Sequence, residues 1–244
     1  MPHAVVTEQE WLTARKALLA KEKELIHLRD RINRERQALP WVKVSKDYIF
    51  DTAAGKKTLA ELFDGRSQLL VYHFMLGPGQ KAGCPSCSLL ADGFDGVLTH
   101  LENHDVAFVT VSRAPFPEIN AYKTRMGWRF PWVSSAGSDF NFDYNVSFTT
   151  ARTPDGHATY NYADMPLPAG SKDMEMPGLS AFSRNDQGEV FHTYSCYARG
   201  LEDMLGTMMF LDRAPQGRNE KTTMDFVRRH DEYARPRQSH SCCS

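Results

Sequence analysis

Apolar residues recur at every seventh position near the start of the chain, at Trp11, Leu18, Leu25, Ile32 and Leu39. Ala14 and Leu28 partly fill a second seam that Lys21 and Glu35 interrupt. Such spacing gives a helix one apolar face. Thr7 followed by Glu10 forms a capping box, and Val6 and Trp11 stand where a hydrophobic staple would close, so the helix is predicted to begin at Glu8. Pro40 stops it after Leu39. That helix would be about 48 Å long, against roughly 40 to 45 Å for a compact body of about 200 residues. It is expected to lie along its own domain or along a partner subunit, in the second case as the arm of a homodimer. Its eight basic and six acidic side chains read as a solvated face and not as a nucleic-acid arm.

After Pro40 the pattern alternates between strands and helices. Trp41 to Phe50 predicts a strand, Asp51 to Gly55 a turn and Thr58 to Phe63 a short helical segment. The run from Gln68 to Met75 is apolar on both faces, as a central strand covered by helices must be, and it ends at Gly77-Pro-Gly79. A helical stretch then reaches about Asn103, followed by a covered strand from Val106 to Ser112, a helix from Pro117 to Met126 and a short strand from Phe130 to Ser134. This series predicts right-handed crossovers and a partly parallel sheet. Leu179 to Arg184 and Glu189 to Tyr197 flank the turn Asn185-Asp-Gln-Gly188 and read as an antiparallel hairpin, with a last helix from Leu201. The tail from Pro236 to Ser244 has no apolar periodicity and is expected to be mobile. The chain therefore divides into a helical arm (1–40), an α/β domain (41–235) and a cysteine-containing tail (236–244).

Composition narrows the function. With 244 residues, 41% hydrophobic and 24% charged, the chain can bury one large or two small cores, so disorder is not the default. Lys and Arg number 29 against 30 Asp and Glu, and no global basic field exists to hold phosphate backbones. No nucleic-acid partner is expected. No apolar run approaches the roughly 20 residues of a membrane helix, and Met1 to Glu10 lack the pattern of a secretory signal, so a soluble cytoplasmic protein without a membrane partner is expected. No Gly-x-Gly-x-x-Gly fingerprint or phosphate loop occurs, and no cofactor is called for.

Five cysteines, Cys84, Cys87, Cys196, Cys242 and Cys243, are too few and too clustered for a disulfide-stapled scaffold. In a reducing compartment the pair Cys84 and Cys87 is a redox dithiol, half of a metal site, or two incidental thiols. With Pro85 at the first helical position, Cys84 is predicted to be the N-cap and Cys87 to sit at the third position, so that the Cys87 amide points at the Cys84 sulfur. An ordinary thiol with pKa about 8.5 is only about 3% ionised at pH 7, whereas one brought near 7 is about half ionised. Cys84 is then the nucleophile and Cys87 the resolving thiol.

These residues carry a resemblance. Cys84-Pro-Ser-Cys87 at a strand-to-helix junction resembles the thioredoxin-like superfamily, which implies thiol-disulfide exchange, a three-layer α/β sandwich with a mixed central sheet, and a disulfide-containing protein or small thiol as partner. More closely, the chain resembles a bacterial family of unknown function described as predicted dithiol-disulfide oxidoreductases. The matching stretches are Glu10-Trp-Leu12, Leu39-Pro-Trp-Val42, Leu70-Val-Tyr-His-Phe-Met75, Gly83-Cys-Pro-Ser-Cys87, Gly127-Trp-Arg-Phe-Pro-Trp-Val133, Gly137-Ser-Asp-Phe140, Phe191-His-Thr-Tyr-Ser195 and Tyr197-Ala-Arg-Gly200. The superfamily also implies a cis-proline facing the dithiol, and Met176-Pro177 before the Leu179 strand looks like that position; with Pro85 and Ser86, these residues would line the substrate site. A peroxiredoxin Pro-x-x-x-Thr-x-x-Cys pattern is missing, because Pro78 lies six residues before Cys84 with no threonine between them.

Other candidates have two readings each. His240 and the adjacent Cys242 and Cys243 could form an electron shuttle, a soft-metal clasp for Cu(I) or Zn(II) with Cys84 and Cys87, or an end without function. Cys196, on one face with His192 and Tyr194, reads as a buried small hydrophobe. His73 could accept a proton from the resolving thiol or simply fill the core. His100 and His104 have a two-ligand helical spacing but lack a third ligand nearby. Nine of the 27 aromatic residues fall between Trp128 and Tyr162, as ordinary core or as an apolar wall beside the cysteines.

Overall fold

The computed structural model of the chain describes residues 3–168, 170 and 173–233, so the tail cysteines Cys242 and Cys243 and the neighbouring His240 lie outside the described residues. Two compact units divide at Trp41 and Val42. The first holds α1 (Glu8–Gln37), whose capping box forms as predicted: the Thr7 hydroxyl accepts from the Glu10 amide at 3.3 Å, and the Glu10 carboxylate accepts from the Thr7 amide at 2.9 Å. The helix ends two residues before the predicted Leu39, with Ala38 as its C-cap. Leu39 precedes Pro40, whose ring clashes with a helical conformation at the residue before it. None of the α1 residues is buried.

In chain order, the second unit opens with β1 (Val42–Lys43), β2 (Ile49–Thr52), β3 (Gly55–Thr58), a 3-10 turn at Ala60–Phe63 and β4 (Gln68–His73). Next come α2 (Pro85–Ala91), a 3-10 turn at Phe94–Gly96, α3 (Leu98–Asn103), β5 (Val106–Ser112), α4 (Phe116–Met126), β6 (Trp132–Ser134) and α5 (Phe140–Asp143). The remainder comprises β7 (Ser147–Thr149), β8 (His157–Tyr160), β9 (Ala163–Pro166), β10 (Asp173–Glu175), β11 (Gly178–Arg184), β12 (Val190–Tyr197), a 3-10 segment at Ala198–Met204 and α6 (Gly206–Leu211). Eight strands form one mixed sheet in the order β1-β12-β11-β4-β5-β6-β2-β3, while β7 pairs with β10 and β8 with β9.

Strands β4, β5 and β6 are parallel, and β11 lies antiparallel to β4 on its other side. The crossovers from β4 to β5 and from β5 to β6 step in the same direction along the sheet, and their common right hand puts both helical connections on one face. That face is where Tyr72, Phe74 and Leu179 meet Cys87 and Leu90 of α2 and Ile119, Tyr122 and Met126 of α4. On the opposite face, Leu69, Val71, Val109 and Val111 are covered by Leu62 and Phe63 of the first 3-10 turn and by Phe140 and Tyr144 around α5. A smaller core joins Val146, Phe148, Tyr160 and Tyr197. The aromatic surplus between Trp128 and Tyr162 is thus largely spent in these three cores, although Tyr162 itself is exposed.

Several local expectations change. The predicted Trp41 to Phe50 strand is interrupted, and only its ends pair, β1 with β12 and β2 with β3 and β6. The long helical stretch after Cys84 breaks after Ala91 into α2, a 3-10 turn and α3. On β12, Tyr194 pairs with Ala181 but His192 pairs with Phe182, so Thr193 is an extra residue that bulges out of register. One such residue reverses the facing of everything beyond it. His192 therefore meets the rings of Phe182 and Tyr144 at 5.5 and 5.2 Å, while Cys196 joins the opposite, helical core, and the two do not share a face.

Phe140 is fully buried, with ring centroids 5.1 Å from Tyr48, 4.9 Å from Phe50 and 4.6 Å from Tyr144. Phe140→Ala is expected to destabilise the protein by about 3–5 kcal/mol. The check is a lowered urea midpoint in an unfolding curve followed by tryptophan fluorescence.

Candidate active site

Beyond β4 the chain turns back on itself. The Phe74 amide donates to the Val111 carbonyl at 2.9 Å, the Ala114 amide donates to the Leu76 carbonyl at 3.0 Å, and the Cys84 amide donates to the Met75 carbonyl at 3.3 Å. The Gly77–Gly83 loop is thereby pinned at both ends, and α2 starts beside the end of the central strand. Gly83 allows the close approach: a Cβ there would stand 2.2 Å from the Phe74 ring and 2.9 Å from that of Tyr122. From far along the chain, the Arg229 guanidinium donates two hydrogen bonds, at 2.9 and 2.6 Å, to the Gly83 carbonyl.

Cys84 is the N-cap of α2 and Pro85 its first residue, as predicted, but the expected capping hydrogen bond from the Cys87 amide to the Cys84 sulfur is not formed. The Ser88 amide and hydroxyl donate to the Cys84 carbonyl at 3.0 and 2.8 Å, and the Ser88 hydroxyl also meets the Tyr122 hydroxyl at 2.8 Å. Cys84 is half-buried, whereas Cys87, one turn on, is buried. The neighbouring Cys87 thiol, with help from the amides of Cys87 and Ser86, holds the pKa of the Cys84 thiol down at about 6 although burial pushes it the other way. Burial, and then the Cys84 sulfur beside it, raise the Cys87 thiol well above its ordinary range. The pair is therefore asymmetric: one sulfur is ready to be an anion near neutral pH, and the other keeps its proton.

A cleft of about 220 Å³ opens beside Cys84, walled by Tyr72, Met75, Leu90, Pro177, Leu201 and Leu205. Ser86 and Pro177 line this cleft; Pro85 is not among the lining residues, and Met176 sits against the small third core instead. The Met176–Pro177 peptide is not cis, and among the described residues no peptide is. Trans is the cheaper isomer even before proline, and it is held here by the Met176 amide donating to the Val146 carbonyl at 2.8 Å and the Pro177 carbonyl accepting from the Tyr160 hydroxyl at 2.8 Å. Tyr160 also accepts from the amide of Ala198, a cleft residue in the left-handed region at φ 47°.

His73 does not reach the dithiol. It follows Tyr72 on β4, so its ring projects to the other face, stacked 5.6 Å from Phe140, with Nε2 meeting the Ser180 hydroxyl at 2.9 Å. Burial lowers its pKa to about 3. On the dithiol face it is Tyr72 that shares the buried cluster and the cleft wall with Cys87. Strand alternation alone could have chosen Tyr72 over His73; no sequence pattern pointed to Arg229 or Tyr160. Cys196 is buried in the helical core, as expected. His100 lies in the last turn of α3 with His104 as its C-cap, and among the described residues no three His, Cys, Asp or Glu side chains are grouped to hold a metal ion.

A central strand leading into a Cys-Pro-Ser-Cys helix start, with parallel strands on one side and an antiparallel hairpin on the other, defines a thioredoxin-like α/β protein. The chain belongs to the family of bacterial proteins of unknown function called DUF899, which it matches over residues 1–233. Among solved structures it is similar to the bacterioferritin comigratory protein of Xanthomonas campestris, at 13% identity over 65% of this chain and 88% of that one, with a TM-score of 0.44. It is also similar to the peroxidoxin BcpB of Mycobacterium tuberculosis, at 12% identity over 69% and 95% of the two chains, with a TM-score of 0.45. No curated protein matches it.

The asymmetry of the thiols gives a pH-dependent outcome. Because the Cys84 pKa lies at about 6, its thiolate fraction rises through pH 6 and is nearly complete by pH 8. Iodoacetamide alkylation of Cys242→Ser/Cys243→Ser protein is expected to be half-maximal near pH 6, with Cys84 modified first. A midpoint above pH 8, where an ordinary thiol titrates, would contradict this geometry.

Proposed function

We propose that the protein is a thiol-disulfide oxidoreductase acting on the disulfide of a protein or small thiol compound. The observation that carries this reading is the inequality of the two sulfurs: the half-buried Cys84 at the helix start is the better anion, and Cys87 waits, protonated and buried, one helical turn on.

The reaction is a pair of sulfur displacements. The Cys84 thiolate attacks a substrate disulfide, forms a mixed disulfide with one half and expels the other half as a thiolate, which takes up a proton. Cys87 then attacks the Cys84 sulfur, loses its proton to the departing thiolate and expels the second half as a thiol. Two electrons have moved, leaving a Cys84–Cys87 disulfide; the same steps in reverse oxidise a substrate dithiol. Pro177 and Ser86, at the wall of the cleft, are the surfaces against which the substrate would lie.

Insulin reduction in the presence of dithiothreitol tests this. Cys84→Ser is expected to abolish the protein's contribution, a loss of at least about a hundredfold, because the nucleophile is removed. Cys87→Ser is expected to retain attack and accumulate a mixed disulfide visible by mass spectrometry. Undiminished reduction by Cys84→Ser would refute the assignment.

A further inference from the structure

Tyr197-Ala-Arg-Gly200 takes no part in the displacement chemistry, yet it shapes the space in front of Cys84. The Tyr197 hydroxyl donates to the Tyr144 carbonyl at 3.1 Å and fixes the end of β12. Ala198 then leaves the strand in the left-handed region, with its amide donating to the Tyr160 hydroxyl at 3.0 Å. Gly200 lets the chain fold back: a Cβ there would stand 3.1 Å from that of Cys196, so the 3-10 segment lies close against β12. Leu201 and Leu205 are buried as a result in the same core as Cys87 and Leu90. Half of the described residues that line the cleft beside Cys84 come from beyond β12, Leu201, Leu205 and Met224 among them.

We propose that this cleft is a specificity pocket for a single apolar group carried on the sulfur that Cys84 attacks, so that the substrate is a low-molecular-weight disulfide of an apolar thiol. The proposal rests on the dithiol reading above and names its substrate class. Cys84 and Cys87 are themselves lining residues, so a group bonded to the attacked sulfur has the cleft directly before it. Size sets the scale of that group. At about 220 Å³ the cleft exceeds the roughly 150 Å³ that takes a benzene ring, and falls short of the roughly 300 to 1,000 Å³ of sites for larger compounds. One ring or a chain of about six carbons fits. Charge sets its chemistry. Among the described lining residues the charged ones are Arg199 and Glu202, which pair with each other at 3.0 and 3.1 Å. A carboxylate on the incoming thiol would therefore lose its water against Met75, Leu90, Leu201 and Leu205, beside a cation already committed. Cys84 is half-buried between these walls, which suits a compact molecule better than a disulfide set in a folded surface. In the reaction, the Cys84 thiolate bonds to the sulfur bearing the apolar group, the substrate S–S bond breaks, and the other sulfur leaves as a thiolate that takes up a proton. Cys87 then displaces the apolar thiol and leaves the Cys84–Cys87 disulfide.

The test uses alkyl 2-pyridyl disulfides, in which the leaving group is constant while the alkyl group grows from methyl through propyl and hexyl to octyl. Reduced Cys242→Ser/Cys243→Ser protein, in excess over each disulfide, gives a rate of pyridine-2-thione release. Dividing by the rate of the same compound with dithiothreitol removes its intrinsic reactivity. The normalised rate is expected to rise about two- to fourfold for each added CH₂ until about six carbons and then to level off. A 2-carboxyethyl group is expected to react at least about tenfold more slowly than propyl. Met75→Phe, which fills part of the cleft from a half-buried wall, is expected to move the levelling point to shorter chains. Should it fold poorly by circular dichroism, Leu205→Phe fills the cleft from the 3-10 side and carries the same expectation. A rate that is flat from methyl to octyl, or highest for carboxyethyl, while release still depends on Cys84, overturns the apolar pocket and leaves the dithiol reading standing. A levelling point unmoved in a folded variant overturns its assignment to this cleft, and insulin disulfides attacked faster than the hexyl compound after the same normalisation overturn the small-molecule substrate. Release that is equal in Cys84→Ser protein overturns both readings.

Discussion

A sulfur anion at the edge of a protein core persists only if donors already in place face it, because surrounding apolar atoms cannot do what water would have done. In this chain the Cys87 thiol and the amides of Cys87 and Ser86 together pull the pKa of the Cys84 thiol down, although the Cys84 side chain accepts no capping hydrogen bond. Their placement depends on backbone more than on side chains. The peptide before Cys84 is gripped by Arg229, the one after it is a proline that suits the first helical position, and the carbonyl of Cys84 itself is taken by Ser88.

The central sheet then decides what surrounds that sulfur. Because β4 is covered on both sides, each successive side chain is committed to one of two different interiors, an aromatic and thiol-bearing one under α2 and α4 or an aliphatic and aromatic one under α5. Chemistry is divided accordingly. Tyr72 belongs to the cysteines, and His73 belongs to a buried row of hydroxyls on the far side, where its ring remains neutral. The hairpin β11–β12 extends the same division outward, with Leu179 and Cys196 on the thiol side and Ser180 and Ser195 on the other.

Much of this was legible beforehand where a local signal coincided with a global one. The capping box at Thr7, the doubly apolar strands β4 and β5, and the proline inside Cys84-Pro-Ser-Cys87 each carry their structural meaning within a few residues; they predict a partly parallel α/β sheet, and the thioredoxin-like architecture was what the family resemblance implied. What escaped had no such local mark. The strands β7 to β10 are three or four residues long, too short for alternation to show, and the Thr193 bulge changes facing without any glycine to advertise it. Arg229 acts on a carbonyl 146 positions earlier, a contact that only the finished fold creates. Of the two readings His73 allowed, the core one holds, and strand alternation is the reason.

Across the far face of the sheet, His73, Ser180, Ser195 and His192 touch in sequence through contacts of 2.9, 2.8 and 2.7 Å, the first two crossing from β4 to β11 to β12 and the last lying within β12. Sliding any of these three strands by a single position would turn its hydroxyl or imidazole toward the thiol side and strand the others in a dry interior, at about 1–3 kcal/mol for each orphaned group. Aliphatic neighbours would tolerate such a slip far more readily. The polar row therefore acts as an alignment key: it makes one pairing of β4, β11 and β12 distinguishable from its near misses, and so keeps Pro177 and Ala198, which flank the keyed strands, in step with the cleft they wall.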